Sequence, residues 1–291
     1  MRSFLRLLRW ELYKLTRRRA TYIGLVLCLG FCAVTLFGFS MSNFQGLRRN
    51  SGGLIDPQRY LNGWFYTYFC ISICFFTLLP LLAALVPGSQ FAGEAKEGTL
   101  RALLLRPPSR PALFGAKTLV SFVWLLALVY VLIGLALMMG TIARGGGKMM
   151  IFEWEFRQYG PWFVADGDRI WLLLLTGLGQ AVSLFMIASF ALMLSAMTDN
   201  PVAATVGTVG GFFISSIVHQ LPDEVMSPRF KAFMPTRHMG FWRELPNLFQ
   251  PYDPDRFAAA RFWTDLAWVG GYSLVFLVIG LTVFSRRDIT S

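Results

Sequence analysis

Residues 170–219 read IWLLLLTGLGQAVSLFMIASFALMLSAM, then TDN, then PVAATVGTVGGFFISSIVH. Two long apolar runs therefore flank only three polar residues, Thr198, Asp199 and Asn200. A helix needs about 20 mostly apolar residues to cross a bilayer, and each run is close to or above that length. Pro201 can open the second helix, because proline is favoured in a first helical turn. The stretch predicts a tight hairpin of two membrane-spanning helices.

The composition of the whole 291-residue chain is also typical of a membrane protein. It is 55% hydrophobic and 15% charged, with a mean hydropathy of +0.52. Soluble domains carry about 25% charged residues, and a chain with 15% aromatic residues does not stay disordered. The four cysteines match no zinc-binding spacing. The net charge of +11 lies mainly beside apolar runs, which indicates anionic lipid headgroups as its partner and not nucleic acid.

Six apolar runs are long enough to span a membrane. They cover residues 20–40, 64–86, 117–140, 170–197, 201–219 and 265–284. The first run is too long for a signal-peptide core and lacks a clear cleavage site, so we interpret it as an uncleaved span. Pro80 is expected to kink the second span. The sequence thus predicts an all-α integral membrane protein with six transmembrane helices, forming a single domain over residues 1–291.

Basic residues at the ends of the spans predict the orientation. Arg17, Arg18 and Arg19 precede the first span, and Arg286 and Arg287 follow the last. Because cytoplasmic segments are enriched in Lys and Arg near span ends, both termini are expected in the cytoplasm. We expect a multi-pass protein of the cell's inner (cytoplasmic) membrane.

Four segments lie between or before the predicted spans. Residues 1–19 place Leu5, Leu8, Leu12 and Leu15 on one helical face, which is typical of a helix lying in the membrane interface. Residues 88–116 form a cytoplasmic loop with a short helix, and residues 141–169 form an outer loop. Residues 220–264 contain six prolines, so this outer segment is restricted to short helices and turns.

Motifs for catalysis or nucleotide binding are absent from the sequence. The run Gly145-Gly146-Gly147-Lys148 is followed by Met149, where a phosphate-binding loop needs Ser or Thr. His219 and His238 are the only histidines, and no nucleophile elbow or zinc-protease motif occurs. The sequence therefore predicts that the chain is not an enzyme and binds no cofactor itself.

The cytoplasmic loop carries the most distinctive pattern, GEAKEGTLRALLLRPPSR at residues 93–110. Leu100, Leu103 and Leu104 form one apolar edge, and Glu94 and Glu97 favour the start of a helix. One interpretation is a surface helix that merely joins two spans. The other is a short helix that docks in a groove of a cytoplasmic partner.

This pattern resembles the second cytoplasmic segment of ABC type-2 (ABC-2) transporter permeases. The residues of that segment that carry the resemblance are Glu97-Gly98-Thr99-Leu100, Leu103-Leu104, Pro107, Ser109-Arg110 and Lys117. Further similar positions, in chain order, are Glu11 and Lys14, Leu194-Ser195, Pro235-Thr236-Arg237-His238 and Phe284-Ser285-Arg286-Arg287-Asp288.

The resemblance implies a six-helix half-transporter of an ATP-driven exporter. It would pair with a second permease copy, and a homodimer is expected. It would work with two copies of a separate ABC ATPase subunit, and this subunit would bind ATP and Mg²⁺. The residues assigned to ATPase coupling are Glu94, Glu97, Gly98, Thr99, Leu100, Leu103, Leu104 and Arg110.

Small residues recur at four-residue spacing on the first and fifth spans. On the fifth span they are Ala203, Gly207, Gly211 and Ser215, and Gly24 lies on a similar stripe of the first. Such stripes allow close contact between helices. The contact is either packing within one chain or, as the resemblance implies, an interface between two permeases.

Polar residues inside the spans are sparse. Candidates for lining a transport path are Gln180, Ser183, Thr205 and Thr208, with ordinary helix hydrogen bonding as the alternative. The absence of a charge in the middle of any span argues against proton or sodium coupling and favours an apolar or amphipathic cargo.

The four cysteines form two pairs with i,i+4 spacing, Cys28 with Cys32 and Cys70 with Cys74. Thiolates select copper(I) or zinc, so a soft-metal site is a weak candidate beside the alternative of buried, apolar-like cysteines.

A second hypothesis is an ATPase-driven membrane scaffold or maturation factor that acts on an outer partner through residues 220–264. A soft-metal (copper) function is one form of this hypothesis. An intramembrane enzyme has no nucleophile–base pair to support it.

Overall fold

The computed structural model describes residues 2–41, 61–99, 109–151, 162–250 and 257–287. These residues are mostly helical. The elements are α1 (Arg2–Arg17), α2 (Arg19–Met41), α3 (Gly63–Thr77), α4 (Leu79–Gln90), α5 (Ala92–Lys96), α6 (Arg110–Arg144), β1 (Met149–Ile151), β2 (Trp162–Val164), α7 (Arg169–Met197), α8 (Pro201–Gln220), α9 (Pro228–Ala232), α10 (Pro235–His238), a 3₁₀ helix (Met239–Phe249) and α11 (Ala259–Arg286).

Within the described ranges, five helices are individually long and apolar enough to cross a membrane. They are α2 from Ala20, α6, α7, α8 and α11. The pair α3 and α4 meets the same criteria when taken together, with a bend of 52° between them. The chain is therefore a helical, multi-pass membrane protein.

The bend between α3 and α4 confirms the kink expected at Pro80. This proline lies in the first turn of α4, two residues after the break at Leu78. Proline has no N–H to donate to the carbonyl four residues earlier, and its ring crowds that carbonyl. The helix is consequently interrupted here, although the N–H of Leu78 still reaches the Cys74 carbonyl at 3.1 Å.

The hairpin predicted from the opening stretch is confirmed. The helix α7 ends at Met197, and α8 begins at Pro201. Asn200 is the N-cap of α8, because its side-chain oxygen accepts hydrogen bonds from the N–H groups of Val202 and Ala203. The helix α7 is the central helix of the fold and packs against α4, α6, α11 and the 3₁₀ helix.

The two ends of the helix bundle differ. At one end, which we call the α1 end, lie α1, α5 and the Asn200 turn. At the opposite end, β1 and β2 form an antiparallel pair with Met149 opposite Val164. This short pair is an addition to the all-helical fold expected from the sequence. At this end of the bundle, α9, α10 and the 3₁₀ helix form a cover, and Trp242 of this cover is wholly buried.

Candidate functional site

Two carboxylates and two ammonium groups meet inside the α1 end of the bundle. The Nζ of Lys117 lies 2.8 Å from Oε1 of Glu94 and 3.2 Å from Oε2 of Glu11. The Nζ of Lys14 lies 2.9 Å from the same Glu94 oxygen and 3.4 Å from Oε1 of Glu11. We call these four residues the ion cluster. It joins α1, α5 and α6, which are separate in the sequence.

The ion cluster is removed from water. Lys117 has no exposed side-chain surface, and the side chains of Glu11 and Glu94 are 3% and 5% exposed. Lys14 is the most accessible member, at 26%. Charged side chains are almost never this deeply buried unless they are paired. The two positive and two negative charges sum to zero, so the cluster is neutral as a unit.

Neighbouring polar groups fix the position of Lys117. Its ammonium group also donates to the backbone carbonyl of Gln90 at 3.4 Å. The side-chain amide of Gln90 donates to the hydroxyl of Ser121, which in turn donates to the carbonyl of Lys117. The end of α4 is thereby tied to α6 on the same side as the ion pairs.

A serine from the central helix holds the start of α5. The hydroxyl oxygen of Ser195 accepts hydrogen bonds from the backbone N–H groups of Phe91 and Ala92, both at 3.0 Å. These groups lie at the break between α4 and α5, where intrahelical partners are missing. The contact fixes the direction in which α5 leaves the bundle and brings Glu94 to Lys117.

The protonation of Glu94 follows from its surroundings. Burial raises the pKa of this carboxyl group, but the charges of Lys117 and Lys14 and their hydrogen bonds have the larger combined effect. The pKa of Glu94 therefore lies below its ordinary value of 4.5, and the group is ionised at neutral pH. Its second oxygen, Oε2, is buried without a hydrogen-bond partner among the described residues.

This arrangement corrects the surface position expected for Glu94, while its coupling role stays a prediction. The sequence places it on a surface helix that faces a partner, whereas it is buried and paired inside the chain. Lys117 was expected at the start of the third span, but α6 begins earlier, at Arg110. Periodicity gave no sign of the cluster, because its members come from three distant segments. The resemblance included Glu11, Lys14 and Lys117 but did not connect them.

Three of the remaining coupling candidates lie on the surface. Glu97, Gly98 and Thr99 are exposed where the chain leaves α5. Gly98 has φ +69°, in the left-handed region that favours glycine, and so ends this helix with a turn. Leu100, Leu103 and Leu104 lie outside the described residues, so their docking role stays a prediction.

Arg110 forms contacts within its own chain that the sequence did not indicate, and its coupling role stays a prediction. One of its guanidinium nitrogens donates to the backbone carbonyls of Phe284, Ser285 and Arg287, at 3.3, 2.8 and 2.9 Å. These carbonyls lie at the C-terminus of α11, where helical partners are missing and where positive charge is favoured. Arg110 therefore caps the last helix of its own chain.

The small residues of α8 include two that pack against α7. A Cβ added at Gly207 would lie 3.3 Å from Leu194, and one at Gly211 would lie 2.9 Å from Phe190. Ala203 is exposed. The glycines thus allow the two helices of the hairpin to lie close together. This contact corresponds to the alternative of helix packing within one chain.

The other two small residues also have contacts within the chain. A Cβ added at Gly24 would lie 3.3 Å from Trp124 of α6. The Ser215 hydroxyl lies 2.9 Å from the hydroxyl of Thr236 in α10. An interface between two copies stays a prediction for this stripe.

The candidate path residues Gln180, Ser183, Thr205 and Thr208 all form hydrogen bonds within the chain. The amide of Gln180 donates to the Ile71 carbonyl at 3.4 Å, and the Ser183 hydroxyl donates to the Met239 carbonyl at 2.9 Å. The two threonines donate to carbonyls of the preceding turn of α8. These contacts correspond to the helix-packing alternative, and the path role stays a prediction.

The cysteine pairs meet between α2 and α3. The sulfurs of Cys32 and Cys70 are 3.8 Å apart, and Cys28 and Cys74 are buried nearby. The hydroxyl of Thr35 lies 3.4 Å from the Cys70 sulfur. Among the residues that the structure describes, no group of three or more His, Cys, Asp or Glu side chains could hold a metal ion.

The apolar helices and the buried ion cluster define a multi-pass helical membrane protein with a charged junction at one end. A family model described as a protein of unknown function (DUF2705) matches residues 53–290. The chain belongs to this family, because the match covers more than half of its length. A comparison with curated proteins found no match.

Proposed function

We propose that this protein is the permease subunit of an ATP-binding-cassette exporter, driven by a separate ATPase subunit. The observation that carries the proposal is the ion cluster, which joins α1, α5 and α6 at the end from which the candidate coupling segment leaves the bundle. A displacement of that segment would reach the spans directly, because α5 is held to α6 by Lys117 and to the central helix by Ser195.

The proposed topology has six spans, with α3 and α4 acting as one bent span. In this topology both termini and the α1 end lie in the cytoplasm, as the basic residues near the first and last spans favour. The protein would reside in the inner membrane and function as two copies with two ATPase subunits. ATP and Mg²⁺ would bind to the ATPase and not to this chain.

The test is co-purification of the ATPase with the permease. The double variant Leu103→Asp/Leu104→Asp is expected to insert normally and to lose the ATPase, because two charges would disrupt an apolar docking edge. The matched control Val225→Asp/Leu248→Asp places the same charges on exposed residues of the opposite end and should keep the ATPase. Normal co-purification of the first variant would contradict the proposal.

A second candidate function is an ATPase-driven scaffold that acts on an outer partner. The observation that favours it is the cover at the opposite end, where His238 of α10 lies 2.7 Å from the carboxylate of Asp265 and stacks on Trp268. These contacts tie the cover to α11, so that motion of the spans would reach an outer surface. Transport of a cargo by vesicles that contain only permease and ATPase would exclude the scaffold function.

A further inference from the structure

The helix α1 has two faces of different character. The face toward the protein carries Glu11 and Leu15, which are buried, and Leu8 and Leu12, which pack partly against the core. The sequence places these leucines in the membrane interface together with Leu5. Only Leu5, at 59% exposed, remains outside this contact. The leucine face is therefore used mainly within the protein, and a different face of α1 points outward.

The outward face carries three arginines and two aromatic rings. The members are Arg6, Arg9, Trp10, Tyr13 and Arg17. Each lies three or four residues from at least one other member, so they form one stripe along the helix. Trp10 and Tyr13 are 53% and 52% exposed, with ring centroids 6.3 Å apart. The guanidinium of Arg17 lies 5.4 Å from the centre of the Tyr13 ring. We call these five residues the arginine–aromatic stripe.

The charges of the stripe are not neutralised by the part of the chain that the structure describes. In those ranges none of its three arginines forms an ion pair. By contrast, Lys14 of the same helix faces the interior and is paired with two carboxylates. Arginine binds phosphate through two parallel hydrogen bonds. Exposed tryptophan and tyrosine favour the headgroup level of a bilayer, where one side of the ring is apolar and the other is wet.

The position of α1 brings the stripe to the membrane surface. The helix ends at Arg17, and the first membrane-spanning stretch begins at Ala20. Arg18, which lies between them, donates to the hydroxyl of Ser89 at 3.2 Å and thereby fixes this junction to the end of α4. The stripe is thus attached close to the end of the first span, where phosphate headgroups are expected.

We propose that the arginine–aromatic stripe binds the headgroups of anionic phospholipids. Each arginine near an anionic membrane surface is expected to increase binding about fivefold. Because Glu11 lies on the opposite side of the same helix, lipid bound to the stripe also holds the helix that completes the ion cluster. The inference does not depend on an ATPase partner.

The experiment uses the full-length protein in nanodiscs of phosphatidylcholine alone or mixed with phosphatidylglycerol. Native mass spectrometry then counts the lipids that stay bound after the protein is released from the nanodiscs. The variant Arg6→Gln/Arg9→Gln/Arg17→Gln should lower the preference for phosphatidylglycerol at least about tenfold. The control Lys148→Gln/Arg229→Gln/Arg261→Gln removes the same charge from exposed residues near the opposite end and should keep the preference.

A second measurement needs no variant. Phosphatidylglycerol should slow hydrogen exchange of residues 2–17 in the wild-type protein relative to phosphatidylcholine alone, with less effect at the opposite end. Equal lipid retention by the wild type and the triple variant would overturn the proposal. Equal hydrogen-exchange rates of residues 2–17 in the two lipid compositions would overturn it as well. Loss of a co-purified ATPase with unchanged lipid preference would also overturn it and would assign the stripe to a protein partner.

Discussion

Removing Lys117 should be among the most damaging changes to this protein. The variant Lys117→Met keeps a side chain of similar length but leaves Glu11 and Glu94 with only the partly exposed Lys14 between them. The charge of the ion cluster changes from zero to −1 in a site where Lys117 itself has no exposed surface. Breaking a buried ion pair by removing one partner destabilises a protein by about 3–5 kcal/mol, and we expect a loss in this range.

The double variant Lys117→Met/Glu94→Gln separates charge from packing. The single change Glu94→Gln leaves the cluster at +1, but Lys117 keeps its contacts with Glu11 and the Gln90 carbonyl, so we expect a smaller loss of about 1–3 kcal/mol. Combining the two changes restores a charge of zero, carried by Glu11 and Lys14. The double variant should therefore be more stable than the sum of the single losses predicts, by about 1–3 kcal/mol.

The assay is reversible unfolding in mixed detergent micelles. Unfolding is monitored by the decrease of the helical circular dichroism signal as the fraction of denaturing detergent rises. The control Lys96→Met removes an exposed lysine of α5 and should change the unfolding free energy by less than about 0.5 kcal/mol. Strict additivity of the two cluster variants would refute the reasoning, since it would mean that Lys117 and Glu94 do not interact. A Lys117→Met protein as stable as the Lys96→Met control would refute it as well.

Two further predictions concern acid sensitivity and helix contact. Because the folded-state pKa of Glu94 lies below its ordinary 4.5, its ionised form stabilises the fold above that value, and this contribution disappears as the pH falls through the lower folded-state pKa. Unfolding free energies measured across the acid range should fall less steeply in Glu94→Gln; parallel curves would contradict this. In Cys28→Ser/Cys74→Ser, membrane-permeant iodine should join Cys32 and Cys70, whose sulfurs are 3.8 Å apart, and mass spectrometry of a digest would detect the linked peptides. No linked peptide beyond the level of Cys32→Ser/Cys70→Ser would mean that α2 and α3 do not meet as described.

The spanning helices could be predicted because their signals are local. Hydropathy locates a span from about 20 consecutive residues, with no information about neighbours. The kink after Leu78 follows from the missing N–H of Pro80, and the start of α8 follows from Asn200 and Pro201. Each of these features depends on residues within a few positions of one another.

The ion cluster could not be predicted in the same way, because its members are brought together by tertiary packing. Glu94 and Lys117 are 23 positions apart, and Glu11 is 106 positions from Lys117. A lysine near the start of an apolar run is equally compatible with a side chain that reaches the headgroups. The contacts of Arg110 could not be predicted for a related reason: its partners are backbone carbonyls at the far end of the chain, which no side-chain pattern reveals.

A cluster of three buried charges and one partly exposed charge is an unusual way to join three helices. Well-packed apolar residues often stabilise a core as much as a buried ion pair does, so stability alone does not account for the cluster. The two kinds of contact differ in how they respond to displacement. An apolar contact between α5 and α6 could slide with a gradual loss of packing, whereas separating Glu94 from Lys117 would leave unpaired charges away from water. The ion cluster therefore favours movement of α1, α5 and α6 as one unit. The proposed coupling of a separate ATPase subunit to the spans requires this property.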